Sequence, residues 1–211
     1  MSFTMALISS LSNANAFSRF SKGITGQSID ALKSIIQEDP SFNVVSAAMT
    51  RLADLDSIEV MNFARSLEKQ NINGLNVAIA DVYSRFGEVQ DYQFLENLNL
   101  NGKLNGYDQL RGMLSYTYFI TRQDIDLMEK SLAVYSYLTA SGNMYVKWYL
   151  SGAIEYNISI LSDKSAALEI QISEDETAKA YEAMNIKKAL KQRYDDLIAN
   201  LSPLIEVESG N

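Results

Sequence analysis

NVVSAAMTRLADL, residues 43–55, sets Val44, Val45, Ala48, Leu52 and Leu55 on one stripe at helical spacing. Asp39-Pro40 stands just ahead and stops the preceding helix, because a residue before proline avoids the α region. Ser41 is then placed to cap the new one. Two later stretches are similar: LNVAIADVYSRFG at 75–87 and YVKWYLSGAIEYN at 145–157. Each puts valine early and a small residue where two helices must approach closely. The helices read as pairs whose second members recur after roughly 30–40 residues, within the range of HEAT-type repeats. The pattern predicts an all-α fold of antiparallel helix pairs stacked as a HEAT/ARM-like right-handed superhelix. A generic helical bundle would show nearly as much self-similarity.

Outward from that stretch, helical spacing continues in both directions. Residues 28–38 carry Ile29, Leu32, Ile35 and Ile36 on one face. Asp56-Ser57 opens a helix with Val60, Met61, Ala64 and Leu67. A break at Asn71–Gly74 precedes Leu75, Ile79, Val82 and Phe86, with Gly87 as C-cap. Residues 88–98 hold Tyr92, Phe94, Leu95 and Leu98, and NLNGKLNG at 99–106 is the clearest loop. Helices are expected over 107–121 and 124–140, the second starting at Asp124 as N-cap. A break at Ser141–Asn143 is followed by a helix over 144–161 with Val146, Leu150, Ala153, Ile154 and Ile158 inward. Another break is expected near Asp163. Ser173 with Glu176 reads as a capping box starting the last helix, whose stripe is Tyr181, Met184, Leu190, Tyr194, Leu197 and Leu201. Pro203 ends it. Residues 28–202 thus read as one helical-repeat domain. Residues 203–211 read as a tail, and 1–27 as an unassigned segment with helix open to it.

The 211 residues include neither histidine nor cysteine. The usual metal ligands, the usual general base and every thiol nucleophile are therefore missing. No zinc site of the HExxH type, no Ser-His-Asp triad and no Cys-His pair can be assembled. An enzyme would have to rest on carboxylates and tyrosines, so catalytic and metal residues are expected to be none, with no cofactor in this chain. A net charge of -8 argues against nucleic acid. The basic run Lys187, Lys188, Lys191, Arg193 leads directly into Asp195 and Asp196 and reads as a solvated helix face. Apolar residues make up 47% of the chain, enough for a sizeable core, yet no segment has the length of a membrane span. The N-terminus lacks a basic residue ahead of its apolar stretch and makes a poor signal peptide, so a soluble chain of unstated compartment is expected.

Tyrosine is uneven: eight of twelve lie within 107–156, around the lone tryptophan. Tyr116, Tyr118, Tyr137, Tyr145, Trp148 and Tyr149 are the candidate peptide- or partner-facing aromatics, and Tyr135 belongs to the same group. Each offers an apolar body with a polar tip. The competing reading is that these rings fill seams between helices. Trp148, between Val146 and Leu150, is expected in the core. Its alternative place is a surface wall that touches peptide. Asn157-Ile158-Ser159 is a glycosylation sequon by letter, set in a helical pattern.

Three longer runs resemble a known family. EDPSFNVVSAAMTRLADLDS (38–57), VAIADVYSRFGEVQDYQFLE (77–96) and NGYDQLRGMLSYTYFITRQD (105–124) are similar to HEAT-like repeats in the C-terminal helical domain of bacterial zinc aminopeptidases, the gluzincin peptidases related to alanyl aminopeptidase. The YVKWYLSGAIEYNIS run and the charged helix at 173–201 fit the same arrangement. In that family an upstream domain holds zinc and performs the chemistry. The resemblance therefore implies a non-catalytic domain that walls or gates a peptide chamber. Its partner would be an upstream catalytic domain of the same polypeptide, with zinc only there, and peptide substrates would be met indirectly. The other reading is a stand-alone helical-repeat scaffold for protein or peptide binding.

Overall fold

The computed structural model describes residues 28–101, 104 and 106–206; the unassigned segment 1–27 and residues 207–211 of the expected tail lie outside them. Among the described residues the chain is all-helical. It divides into two compact units, parted between Glu88 and Val89.

The first unit contains α1 (Ile29–Glu38), α2 (Phe42–Leu55), α3 (Ser57–Lys69) and α4 (Asn76–Phe86), the last preceded by a 3-10 turn at Asn73–Leu75. Ser28 caps α1 by accepting from the Ala31 N–H. Asp39 leaves the helix in an extended conformation ahead of Pro40, and its carboxylate accepts from the Ser41 N–H at 2.9 Å. Ser41 does occupy the N-cap of α2, but its hydroxyl makes no capping bond. Asp56 caps α3 through the Glu59 N–H at 2.9 Å. Asn71 ends α3 with φ 54°, a left-handed conformation asparagine tolerates. Val44, Val45, Ala48 and Leu52 are buried as the stripe predicted, together with Val60, Ala64, Ile79 and Tyr83. Leu55, expected in that stripe, is 43% exposed. It is the last residue of α2, one position before the Asp56 cap, where the chain turns away from the core.

The second unit holds α5 (Tyr92–Leu100), α6 (Gly106–Ile120), α7 (Ile125–Met128), α8 (Ser131–Ser141), α9 (Met144–Thr177), α10 (Tyr181–Leu201) and α11 (Pro203–Glu206). The helix expected over 124–140 is split in two. Asp124 caps its first turn through the Leu127 N–H, and the chain then steps through Glu129-Lys130 into α8. Met128 and Ser131, on either side of the step, are both fully buried, so packing overrides a sequence that shows no breaker there.

A larger departure concerns α9. Neither Asp163 nor the Ser173/Glu176 pair interrupts it, and it runs unbroken for 34 residues. Leu161 and Ser165 keep the inward period, and α9 packs along α10 more extensively than any other pair of helices. The turn comes later. Lys179 takes φ 58°, the Ala180 N–H donates to the Asp175 carbonyl and the Lys179 N–H to that of Glu176. These are the two bonds of a Schellman motif, built on lysine where glycine is usual. Pro203, expected only to stop α10, also opens the short α11, where its missing N–H is not needed.

α9 is the axis of this unit. α6, α8, α10 and α11 all pack against it, and α5 packs on both α6 and α8. α6 and α9 run side by side in the same direction. At their starts Asn143 donates to the Gly106 carbonyl and to Gln109 Oε1, and near the other end the Tyr118 and Tyr156 rings meet at 5.8 Å.

Candidate functional site

The candidate site is the outward face of the parallel pair α6 and α9. On α9 the inward stripe is Val146, Leu150, Ala153, Ile154, Asn157 and Leu161. At 100° per residue, Tyr145, Trp148, Tyr149, Gly152 and Tyr156 form a second stripe well round from it. All of these are exposed. The Tyr145 and Trp148 rings sit edge to face at 6.0 Å, and the Tyr156 ring does the same with Tyr118 of α6. Tyr107 and Met144 are exposed at the beginnings of the two helices. Gly152 divides the aromatic ladder, and a Cβ there would meet nothing within 4 Å. The result is a row of rings with a notch at mid-length, carried on a rigid helix pair.

The expectation that Trp148 belongs to the core is overturned: it is 64% exposed. The reason is angular. Trp148 lies two residues past Val146, about 200° round the helix from a residue that points straight into the core. Of the other candidates, Tyr118, Tyr145 and Tyr149 are exposed on the α6/α9 face, and Tyr137 is half-buried on α8. Tyr116 is fully buried and so is no part of any surface. Tyr156 and Gly152 were not singled out. Their signal was present, since 145, 149, 152 and 156 repeat at helical spacing on a helix that already had an inward stripe.

Beneath the face lies a polar network. Thr117 donates to the Met113 carbonyl, Tyr135 donates to Thr117 Oγ1 at 3.0 Å, and the Asn157 amide reaches Tyr135 and Ser131. It ties α6, α8 and α9 together in a fixed register. Asn157 is fully buried, so the sequon has no accessible acceptor. Tyr116 stands edge to face with Tyr135 at 6.1 Å. Burial raises the Tyr116 hydroxyl well above its ordinary range and pushes Tyr135 up to about 12.

Among the described residues there is no group of three or more histidine, cysteine, aspartate or glutamate side chains able to hold a metal. No described helix is long and apolar enough to cross a membrane. Compared with family models, curated proteins and solved structures, the chain matches none.

Proposed function

We propose that this chain is a non-catalytic helical module that holds an extended peptide segment along the α6/α9 face. The observation that carries the reading is the ladder Tyr145, Trp148, Tyr149, Tyr156 with Tyr118, all exposed on packed helices. Exposed aromatic rings on rigid elements are the usual anchors of protein recognition, since they bring large contact area with little entropy to lose. The notch at Gly152 lets a peptide backbone approach between rings, and the tyrosine hydroxyls offer hydrogen bonds to it.

The stacked, HEAT-like arrangement of antiparallel pairs belongs to the same proposal. Its support is that α6 and α9, helices of successive pairs, run parallel and in contact, while α5 and α8 also pack. The resemblance to the aminopeptidase C-terminal domain supplies one setting, in which the face forms part of a peptide chamber wall beside a zinc-bearing catalytic domain upstream. A stand-alone scaffold uses the same face without that domain. An upstream reading frame encoding HExxH selects the first setting, and one encoding an unrelated module selects the second.

Trp148 is the only tryptophan and lies in the face, so its emission reports binding directly. Titration with a library of extended peptides should produce binders that shift the emission to the blue. Trp148→Ala should weaken a binder, measured by calorimetry, by about 2 kcal/mol, or roughly thirtyfold. Peptides that bind equally well to the Trp148→Ala and Tyr149→Ala variants would sink the assignment.

A further inference from the structure

Three residues of α9 stand at equal intervals on its outward stripe: Tyr149, Tyr156 and Asp163, each seven residues from the next. Seven residues make nearly two turns and rise about 10.5 Å, so the three lie in one line along the helix. All three are exposed. Tyr118 braces the Tyr156 ring edge to face at 5.8 Å, and Gly152 leaves the floor between Tyr149 and Tyr156 bare.

A segment that follows this line must match it in pitch, in hydrogen bonding and in charge. A polyproline II helix advances about 9.3 Å per turn of three residues, close to the ring interval. Every third side chain of such a helix therefore meets Tyr149, Tyr156 and Asp163 in turn. Two other modes of peptide recognition lack their frame here. Among the described residues there is no strand, and so no sheet edge for a peptide strand to extend. An amphipathic helix needs a continuous apolar groove, whereas this face is a row of projecting rings. Hydrogen bonding agrees with the pitch. Proline has no N–H to satisfy, and a polyproline helix leaves its carbonyls open. The Trp148 indole is a donor only, and the tyrosine hydroxyls beside it donate as well.

Charge fixes one end. Asp163 and Glu155 are exposed on the outward side, and neither side chain has an ion-pair or hydrogen-bond partner among the described residues. The basic residues nearby are engaged or turned away. Lys147 lies about half a turn round α9 from Tyr145 and Tyr149. Lys164 donates to the Gln123 carbonyl, and Arg111 and Arg122 already have partners within the chain. The unpaired charge at this end of the ladder is therefore negative.

Resting on the peptide-face reading, we propose that the segment held there is proline-rich: Pro-x-x-Pro in a polyproline II helix, its prolines on Tyr149 and Tyr156, with a basic residue one turn beyond paired with Asp163. Calorimetry and Trp148 emission with synthetic peptides test it. The probes are Pro-x-x-Pro-x-x-Arg and the reverse order, with alanine at x, and at least one should bind. Replacing its prolines by alanine should weaken it about tenfold, since the preformed helix is lost. Replacing its arginine by glutamate should weaken it roughly threefold. Asp163→Lys, with an unchanged circular dichroism spectrum, should reverse that preference. A proline-free peptide that binds as tightly, and still needs Trp148 and Tyr149, overturns the proline assignment and leaves the peptide face standing. Indifference of the parent to arginine or glutamate overturns the pairing with Asp163. Failure of every peptide, whatever its composition, overturns the peptide face as well.

Discussion

The two halves of α9 use one continuous helix in opposite ways. Over 144–161 the helix buries an apolar stripe against α6 and α8 and still displays a second, aromatic stripe outward. Over 166–177 it buries nothing: Leu168 and Ile172 are half-covered, and Ile170 is 64% exposed. In the first half exposure is a surplus: the fold is satisfied and the rings are additional. In the second half the stripe is paired with α10, as the Lys187–Asp175 and Lys191–Glu169 contacts show, and is covered only in part. Exposed apolar area therefore has two meanings, and the state of the opposite face of the same helix separates them.

Adjacent residues provide the sharpest way to break this comparison. Leu150→Ala opens a cavity under α9 and should cost about 2–5 kcal/mol in denaturant melts. Trp148→Ala, two positions away, should stay within about 0.5 kcal/mol of the parent. A Trp148→Ala midpoint that falls as far as that of Leu150→Ala would return the indole to the core.

Tyrosine ionisation sharpens the same contrast. Burial pushes Tyr135 up to about 12 and holds Tyr116 well above the ordinary tyrosine range, so both should ionise late as the pH is raised. A folded pKa above the unfolded value of about 10 stabilises the protein fully below pH 10. That contribution is lost as pH rises from about 10 through about 12. Absorbance at the phenolate band should thus include a late phase above the ordinary tyrosine range, coincident with unfolding. Tyr135→Phe should shrink that late phase. A single phase near the ordinary value would contradict the burial of both rings.

The smallest expected effect is at the notch. Gly152 sits mid-helix with open space where a Cβ would stand. Gly152→Ala should raise stability by about 0.5–1 kcal/mol, since glycine is a poor helix former. The same change should weaken peptide binding by filling the notch. A variant that is more stable and binds unchanged would leave the aromatic ladder intact but remove the notch from the site.

How much of this was legible in the sequence depended on what marks an element's end. Asp39-Pro40, Asp56, Asn71 and Asn143 each announce a break through proline geometry or a side-chain cap, and each break is found. The Lys179 turn was invisible, because a lysine in the left-handed region leaves no compositional trace. Ser173 and Glu176 misled for the converse reason: a capping box acts only where the chain leaves the helix, and the stripe along α10 keeps it helical. The aromatic cluster was seen as a set of residues but not sorted. Tyr116 belongs to the core and Trp148 to the surface, and the angle from Val146 distinguishes them.

The most direct measurement is the emission of Trp148 in the free protein and in the presence of a bound peptide. The account predicts a red-shifted emission readily quenched by acrylamide, which moves to the blue and becomes protected when the peptide binds. A blue, unquenched emission from the free protein would place the ring inside the fold and contradict the aromatic face.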